Sequence, residues 1–364
     1  MLKRITVLGT VLLGITRIAF AQSPKIDFES YDPPSTLIVP ENPVNRSKFP
    51  FIDVHNHQYR MGSGSLNDLI TNMDALNMRV MVNLSGGNGA ELKQKVENAR
   101  KQYPGRFIVF HNIDFSGIGT EAWSEKAVKQ LQEDYNNGAR GLKVFKNLGF
   151  SVKDARGNRV TVDDPRLDPI WKKCGELKIP VLIHTADPAS FWEELTNENE
   201  RLLELYTHPR RKRSKEDPAP WEDLIAEQHR MFKKHPGTVF IAAHFGWYPN
   251  NLKKLDSLLT ALPNVVVEFG AVIAELGRQP RTAHAFFLRF QDRILFGKDS
   301  WVPAEYATYF RVLETADEYF PYHKKYHAFW RMYGLDLPDE VLKKVYYKNA
   351  LRIIPGIDAS LFPR

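Results

Sequence analysis

Two histidines separated by one residue end the first apolar segment of this sequence, Asp53-Val54-His55-Asn56-His57. Side chains two residues apart on a β-strand project from the same face, so His55 and His57 are expected to point to one side. Two imidazole nitrogens placed in this way can bind one metal ion. The pair alone is a weak signal, because two histidines at this spacing often arise by chance and are then partly exposed.

Three further apolar segments end in residues that can bind a metal, namely His184, His244 and Asp299. A histidine or aspartate buried there without a partner would cost several kcal/mol of desolvation. If the segments are strands of a barrel, their ends converge on one cavity. Three histidines with a carboxylate are a common catalytic metal set that leaves a position for water. The residues therefore predict a metal site, without separating His244 from the ligands.

Eight short apolar, β-rich segments recur along the chain, separated by helical stretches. The segments are 51–57, 80–84, 107–115, 141–145, 181–184, 239–244, 265–269 and 294–296. Amphipathic stretches between them include 91–102, 125–137 and 252–262. Strands that alternate with helices favour parallel βαβ units, and a count of eight favours a closed barrel. We predict an α/β fold, a (β/α)8 TIM barrel of the metal-dependent hydrolase type.

The longest gap lies between the fifth and sixth predicted strands, where Val239 stands 58 positions after Val181. This insertion contains the basic run 210–215 and two charged stretches expected to be helical, 191–206 and 221–234. Because the catalytic loops of a barrel follow its strands, the insertion is expected to lie over the mouth of the site.

The segments outside the predicted barrel differ from it in composition. Residues 22–48 contain five prolines and little periodicity, so we expect an extended arm there. Residues 49–356 are expected to form the barrel domain. The chain after Trp301 is expected to be helical and to end in a helix over 339–353.

The first 21 residues have the pattern of a secretory signal peptide. Lys3 and Arg4 precede a mostly apolar run, and small residues stand before the expected cleavage point after Ala21. The run is shorter than the roughly 20 apolar residues that a membrane-spanning helix needs. We expect an exported protein, periplasmic or secreted, without stable membrane insertion after cleavage.

The net charge of +7 comes largely from two short segments. Cleavage would remove Lys3, Arg4 and Arg17, and five of the remaining positive charges lie in the basic run 210–215. Such a run could attract an acidic partner or form a solvated loop, and we expect no nucleic-acid binding.

The only cysteine, Cys174, cannot form an internal disulfide and is expected to be a small buried residue on a helix. The sequence leaves open whether the chain forms a homodimer.

Together these motifs resemble the amidohydrolase superfamily and, within it, the amidohydrolase-related branch. That branch contains aminocarboxymuconate-semialdehyde decarboxylase, resorcylate-type decarboxylases and lactone or amide hydrolases. The resemblance extends over about residues 51 to 355. The segments that carry it are Ile52-Asp53-Val54-His55-Asn56-His57, His184, Ala243-His244, Gly297-Lys298-Asp299 and Tyr347-Lys348-Asn349-Ala350-Leu351-Arg352.

The resemblance implies a role for each candidate residue. By analogy with the decarboxylases of the branch, His55, His57, His184 and Asp299 would bind one metal ion, and His244 would transfer protons beside it. Asp299 could act as both ligand and base, as in hydrolytic relatives. Zinc is the first choice for a mixed nitrogen and oxygen site, with manganese and iron as alternatives, and one ion is favoured over two.

Lys143 lies in the fourth predicted strand on the same face as Phe145. A lysine inside a barrel needs a carboxylate partner, a lowered pKa or carboxylation. In binuclear amidohydrolases the fourth-strand lysine is carboxylated and bridges two metals, whereas in the mononuclear branch it is unmodified. A bridging carbamate, an unmodified substrate-binding lysine and a structural role therefore stay open, while Lys146 is expected to face solvent.

Further residues follow the predicted strands and are weaker candidates for the pocket: Asn83, His111, Asn112, Asp114, Trp192, Trp247 and Trp301. Glu268 lies within the seventh predicted strand and is expected to support the site. Lys298 stands before Asp299 where many relatives carry a small residue, which leaves the substrate open.

The chemistry expected is activation of water by a metal ion, with Asp299 or His244 moving protons. We predict hydrolysis of an ester, lactone or amide bond in a small organic substrate. Non-oxidative decarboxylation of a small aromatic or unsaturated carboxylic acid is the alternative, and an exported non-catalytic binding protein is the second alternative. The sequence contains no nucleophile elbow, phosphate loop, dinucleotide fingerprint or cysteine-based pair that would favour another enzyme class.

Overall fold

A computed structural model describes residues 26, 27 and 30–363 of the 364-residue chain. The predicted signal peptide, residues 1–21, lies outside the described residues. The described residues fall into two units, one that ends at Leu37 and one that begins at Ile38. The described part of the first unit contains one turn, in which the backbone N–H of Tyr31 donates to the carbonyl of Asp27 over 2.9 Å. All described helices and strands belong to the second unit.

The second unit alternates strands and helices along most of its length. The strands are β1 (Phe51–Asn56), β2 (Met78–Asn83), β3 (Phe107–Val109), β4 (His111–Asn112), β5 (Leu142–Val144), β6 (Val181–Ile183), β7 (Phe240–Ala242), β8 (Val265–Glu268), β9 (Ile294–Leu295), β10 (Phe320–Pro321) and β11 (Arg331–Met332). The helices are α1 (Asn67–Leu76), α2 (Gly89–Gln102), α3 (Trp123–Asn136), α4 (Asn147–Phe150), α5 (Asp168–Glu176), α6 (Leu202–Thr207), α7 (Trp221–Lys234), α8 (Leu252–Ala261), α9 (Ile273–Gly277), α10 (Pro280–Arg289), α11 (Tyr306–Glu314), α12 (Asp339–Lys343) and α13 (Asn349–Ile353).

Nine of the strands form the parallel barrel. The order is β1-β2-β3 in one ladder and β4 to β9 in sequence in the other. Only Phe110 separates β3 from β4, so these two strands occupy one position, and its N–H donates to the carbonyl of Asn83 on β2. The ring closes where the N–H of Val54 on β1 donates to the carbonyl of Phe296 after β9, over 2.9 Å. The predicted (β/α)8 fold is confirmed.

The barrel strands form because both of their faces are covered. All residues of β6, β7 and β8 are buried, and parallel strands with helices outside and packed side chains inside are expected to be continuously apolar. The predicted helices over 91–102, 125–137 and 252–262 correspond to α2, α3 and α8. Cys174 is fully buried on α5, as predicted.

The prediction of a wholly helical chain after Trp301 was wrong. Helix α11 forms, but residues 315–338 contain the antiparallel pair β10–β11 instead of a helix. Gly334 explains part of the departure, because a Cβ there would lie 1.9 Å from the carbonyl oxygen of Thr315. This close backbone approach needs glycine. The final helix expected over 339–353 does form, with a π-helical turn at Lys344–Lys348.

The insertion between β6 and β7 was predicted correctly in its second half only. Helix α7 coincides with the predicted stretch 221–234, whereas 191–206 is helical only from Leu202. The side chain of Asn199 donates to the carbonyl of Ser190 over 2.9 Å and accepts from the N–H of Arg201 over 2.8 Å. Asparagine side chains that bind nearby backbone groups in this way compete with helix formation.

The part of the predicted arm within the second unit, residues 38–48, has no regular secondary structure. It is fixed by hydrogen bonds to the barrel unit: Asn42 donates from its backbone and its side chain to Asp317, each over 2.7 Å, and the N–H of Lys48 donates to Glu314 over 3.0 Å. Across residues 26, 27 and 30–363, we find no helix long and apolar enough to span a membrane.

Burial of His229 on α7 should make stability depend on pH. Burial lowers the pKa of His229 from 6.5 to about 4, and its Nε2 has no hydrogen-bond partner in the described chain. Between these pH values the unfolded chain binds a proton that the folded chain does not, so the free energy of unfolding falls as the pH falls. In urea titrations with EDTA at pH 4.5 and 7.5, His229→Phe should reduce this loss by about 1–3 kcal/mol. Equal losses in the variant and the natural protein would contradict the prediction.

Candidate metal centre

The two histidines of β1 and the aspartate after β9 come together at the carboxyl ends of these strands. The Nε2 atom of His55 lies 3.3 Å from Oδ1 of Asp299, and Nε2 of His57 lies 3.5 Å from the same oxygen. The three residues form a group of donors within 4.8 Å of one another. Separate parts of the sequence therefore supply two nitrogen atoms and one oxygen atom to one point.

The tautomer of His55 leaves a lone pair at this point. Its Nδ1 lies 2.8 Å from Oε1 of Glu268. Burial would raise the pKa of Glu268, but His55 and the Gly270 N–H outweigh it and the pKa is lowered to about 2. The ionised carboxylate only accepts, so Nδ1 carries the proton and Nε2 is unprotonated. Burial lowers the pKa of His55 to about 4, which keeps the ring neutral.

The Nε2 atom of His55 is buried and has no hydrogen-bond partner in the described chain. A buried nitrogen lone pair without a partner is costly unless a cation or a proton donor lies beside it. His57 has a similar arrangement, because its Nδ1 lies 2.8 Å from Oγ of Ser85 and its Nε2 points to Asp299. Burial also lowers the pKa of His57.

His184 and His244 form a second close pair beside this group. Nδ1 of His184 lies 3.3 Å from Nε2 of His244. The other nitrogen of each ring faces a carbonyl, that of Ala186 at 3.0 Å and that of Gly270 at 2.6 Å, and therefore carries a proton. With these tautomers, Nδ1 of His184 and Nε2 of His244 would each turn a lone pair toward the other ring. Such an arrangement is repulsive until a cation or an extra proton lies between the nitrogens.

The donor separations suit one divalent ion. Ligand atoms about 2.1 Å from a tetrahedral ion are about 3.4 Å from each other. The two distances to Asp299, 3.3 and 3.5 Å, match this value. Imidazole nitrogen and carboxylate oxygen are also the donor types that zinc and manganese accept. By its chemistry and its spacing, the donor set fits a metal ion.

Asp299 reaches the group from a strained position. It has φ = +82°, and its N–H donates to the carbonyl of His55 over 2.7 Å. Burial would raise its pKa, but His55 and the contacts with His57 and His244 hold the pKa well below its usual range. The side chain remains about a third exposed. Asp299 is therefore an ionised carboxylate open to the mouth of the barrel.

A left-handed turn follows β7 and contains His244. The φ angles of His244, Phe245, Gly246 and Trp247 are +57°, +56°, +58° and +62°. For residues other than glycine, this conformation costs roughly 1–2 kcal/mol each. Such strain persists only when surrounding contacts hold it, and it is common at functional sites. Here the ring of Trp247 packs against that of His244, with 4.7 Å between the ring centroids.

Glu268 fixes the positions of several of these groups. Besides His55, its carboxylate accepts from the N–H of His244 over 2.9 Å and from the N–H of Gly270 over 2.6 Å. His55, His244 and Glu268 form a second group of close donor atoms. Because the Glu268 oxygens are already used by three donors, the geometry assigns this residue to orienting the histidines.

Asp53 joins the strand that carries His55 to the strand end that carries Asp299. Its Oδ1 accepts from the N–H of His55 over 3.0 Å and from the N–H of Lys298 over 3.1 Å. Tyr306 donates to Oδ2 over 2.6 Å. Burial raises the pKa of Asp53 to about 6. This role was missed from the sequence, although Asp53 lies two residues before His55 on the same strand face.

Lys143 lies inside the barrel and is almost fully buried. Its Nζ has no hydrogen-bond partner in the part of the chain described, and it lies 5.3 Å from the centroid of the Phe145 ring. Burial lowers the pKa of Lys143 to about 8, although Asp299 and Glu268 act in the opposite direction. The side chain is therefore an amine close to the donor group that forms no ion pair with residues 26, 27 or 30–363.

The sequence-derived site residues are only partly assembled into one donor group. His55, His57 and Asp299 are together, whereas His184 stands beside His244 and belongs to neither donor group of the described chain. The assignment of His184 as a ligand therefore stays a prediction.

The weaker candidates mostly have other partners. His111 lies 2.7 Å from Asp134 of α3, outside the barrel strands, and Asp114 is exposed and accepts from the N–H of Ser116. Asn83 holds the loop after β1 through hydrogen bonds with the backbone of Gln58, as Asn112 holds that after β2. These contacts give the residues structural roles.

The contacts of two other residues near the site had no sequence signal. Ser85, the partner of His57, follows a strand without any pattern that singles it out. Lys298 is buried and forms an ion pair with Glu305, which also contacts Lys324 over 3.0 Å. Only the three-dimensional arrangement shows these partners.

A profile of the amidohydrolase family matches residues 52–356 of the chain. A search of curated protein sequences finds no match.

Solved structures with the same fold include three proteins of low sequence identity. A TIM-barrel protein of Bordetella bronchiseptica is 18% identical, with a TM-score of 0.50, and the match covers 84% of this chain and 98% of that one. A protein from Staphylococcus aureus described as a putative amidohydrolase is 16% identical, with a TM-score of 0.52 and coverage of 84% and 99%. A dihydroxybenzoic acid decarboxylase of Polaromonas with bound manganese and 2-nitroresorcinol is 14% identical, with a TM-score of 0.54 and coverage of 84% and 96%.

Replacing Glu268 should weaken metal binding. In Glu268→Gln the amide presents only one acceptor oxygen where three donors now converge, so His55 loses its fixed tautomer. Loss of such an outer partner lowers metal affinity about 10- to 100-fold. Titration of the metal-free protein with zinc measures this change. The control is Glu227→Gln, which removes another buried glutamate, paired with Arg159 on the outside of the barrel. Equal zinc affinity in the two variants would count against the assigned role.

Proposed function

Because the chain belongs to the amidohydrolase family, we propose that it is a metal-dependent hydrolase that cleaves an ester, lactone or amide bond in a small organic substrate. The observation that carries the proposal is the convergence of His55, His57 and Asp299 on one point, with the buried Nε2 of His55 lacking a partner in the described chain. His55, His57 and Asp299 would hold the ion, with His184 as the further ligand predicted by resemblance. When bound, such an ion supplies Lewis acidity, which makes water a stronger acid and polarises a carbonyl group.

Asp299 would accept the proton of the attacking water. Its carboxylate is ionised, since its pKa lies well below the usual range, and it is open to the barrel mouth. His244 is the second candidate for proton transfer. Its ring is fixed by the hydrogen bond from Nδ1 to the carbonyl of Gly270, so its Nε2 can give or take a proton at one defined position.

Two further side chains would act on the substrate. Trp247 packs against both His184 and His244, with 5.6 and 4.7 Å between ring centroids, and forms an apolar wall that limits access of water. The Nζ of Lys143 has no hydrogen-bond partner in the described chain and would donate to a substrate oxygen. Zinc is proposed first for this mixed donor set, and manganese second, because the Polaromonas decarboxylase holds manganese.

The second candidate reaction is non-oxidative decarboxylation of a small carboxylic acid. It is favoured by the similarity of fold to the dihydroxybenzoic acid decarboxylase of Polaromonas. In this reaction His244 or Asp299 would protonate the carbon that loses carbon dioxide. We also propose that the protein is exported, as residues 1–21 predict. Export favours hydrolysis over decarboxylation.

Removal of a β1 histidine should remove metal and activity together. We expect the purified protein to contain a divalent metal and to hydrolyse at least one member of a panel of lactones, esters and amides. His57→Ala should lower both the metal content and the rate, the rate by at least about a hundredfold. His111→Ala is the matched control, because His111 also ends a barrel strand but is paired with Asp134.

The products distinguish the candidate functions. Consumption of water with release of an acid supports hydrolysis, whereas release of carbon dioxide from aromatic acids supports decarboxylation. A protein that binds its ligand equally well with and without His55 and His57, and shows neither reaction, would instead be the non-catalytic binding protein.

The state of Lys143 should be visible in the metal stoichiometry. We expect one equivalent of metal in the natural protein and one in Lys143→Met, because an unmodified lysine contributes no ligand. Metal analysis after growth and purification with bicarbonate measures both values. Two equivalents in the natural protein that fall in the variant would instead indicate a bridging carbamate.

A further inference from the structure

We propose that Lys146 and Arg213 form a subsite for an anionic group of the substrate, most simply a carboxylate, at the mouth of the barrel. The inference rests on the proposed function and adds to it the chemical class of the substrate, a small organic anion. It also gives a role to one residue of the basic run 210–215.

The subsite is built from two separate loops around one carboxylate. Lys146 follows β5, and its Nζ lies 2.6 Å from Oδ1 of Asp187. Arg213 comes from the insertion after β6 and binds Oδ2 of Asp187 through Nη2 at 3.0 Å and Nε at 3.2 Å. Asp187 is buried, and its backbone carbonyl accepts from the indole N–H of Trp221 over 2.9 Å. Asp187 thus holds both cations in fixed positions.

Two cations share a single carboxylate here, so the cluster keeps one excess positive charge. The side chain of Lys146 is 39% exposed and that of Arg213 is 21% exposed, so both have surface to offer. An ammonium group has three donors and a guanidinium group has five. Asp187 uses part of this capacity, and the carbonyl of Arg210 accepts from Nη1 of Arg213 over 3.1 Å. The remaining N–H groups are available to a second anion.

An aromatic ring connects the two cations. The Nζ of Lys146 lies 5.8 Å and the guanidinium carbon of Arg213 lies 5.3 Å from the centroid of the Phe150 ring. The ring of Trp192 meets Phe150 edge-on, with 6.4 Å between centroids. Cations placed over aromatic rings remain charged while they lose water, which strengthens their attraction for an anion. The same rings could contact the apolar body of a small organic acid.

The cluster lies next to the candidate metal centre. Asp187 is three residues after His184, and its Oδ1 is 4.0 Å from Nε2 of that histidine. His184 in turn contacts His244. Asp187 and His244 therefore lie beside the two ring nitrogens of His184. An organic acid bound at Lys146 and Arg213 would thus have the candidate metal centre on the other side of one imidazole ring.

Within the basic run 210–215, only Arg213 belongs to the proposed subsite. Arg213 is held inward, because its N–H donates to the carbonyl of Phe191 over 2.8 Å and its side chain is bound to Asp187. Arg210 and Lys215 of the same run are exposed. Replacement of Lys215 therefore removes the same charge from the same loop without touching the subsite, which makes it a matched control.

The test uses calorimetric titration with benzoate, with its neutral counterpart benzamide, and with inorganic phosphate. Arg213→Gln and Lys146→Gln should each weaken benzoate binding about tenfold, because a charge-assisted contact is lost. Lys215→Gln should leave the affinity unchanged, and Arg213→Lys should retain most of it. Benzamide should bind with equal affinity to all variants. Phosphate should compete with benzoate in the natural protein and compete less in Arg213→Gln.

Equal benzoate affinity in Arg213→Gln and Lys215→Gln would overturn the inference, and so would parallel losses for benzoate and benzamide. Phosphate that binds more tightly than benzoate would also overturn the choice of an organic acid. Thermal unfolding of each variant separates loss of binding from loss of folding, with Arg213→Lys as the folded comparison. The titration measures binding without turnover, so it tests the subsite independently of the proposed enzyme function. A protein that binds benzoate through Arg213 but contains no metal and hydrolyses nothing would support the subsite and contradict the proposed function.

Discussion

The buried carboxylate of Glu268 is the contact on which the arrangement of the candidate centre depends. It binds the ring of His55 on one strand and the backbone N–H groups of His244 and Gly270 on neighbouring segments. A buried anion is stable only when donors compensate for its lost hydration. The same three donors that stabilise Glu268 are therefore fixed in place by it. Because the proton of His55 is held on the Glu268 side, the lone pair must point into the barrel. Orientation and protonation of the donor thus have one cause.

The backbone around this contact carries strain that the neighbouring hydrogen bonds offset. Trp247 lies in a left-handed turn with His244, and Asp299 has φ = +82° after β9. Each of these conformations is unfavourable for a residue with a Cβ. The N–H of His244 is held by Glu268, and the segment of Asp299 is tied to β1 by Asp53 and by the carbonyl of His55. The seam at which the barrel closes and the place where the donors meet are therefore the same piece of structure.

The fold could be predicted from the sequence because a parallel barrel strand is buried on both faces and leaves a continuous apolar run. The residues that end these runs were also visible, since a histidine after an apolar run has a desolvation cost that needs a partner. The hydrogen-bond partners of these residues could be predicted from the sequence only in part. Glu268 could be named as a support, but its contact with His55 spans 213 positions and follows from no local pattern. Stretches 191–206 and 315–338 departed from prediction where Asn199 binds the local backbone and where the chain approaches itself at a glycine.

Charge balance connects the interior of the barrel to its mouth. Glu268 and Asp299 are two ionised carboxylates around the donor group, and one divalent cation would neutralise them. A protonated Lys143 would then add an excess positive charge in a place where burial already lowers the pKa of Lys143 to about 8. That excess is relieved either by loss of the proton or by arrival of an anion. At the mouth, Lys146 and Arg213 together with Asp187 add one further net positive charge. These charges, from the mouth to the centre, are the basis on which we propose a negatively charged substrate, whichever bond is cleaved.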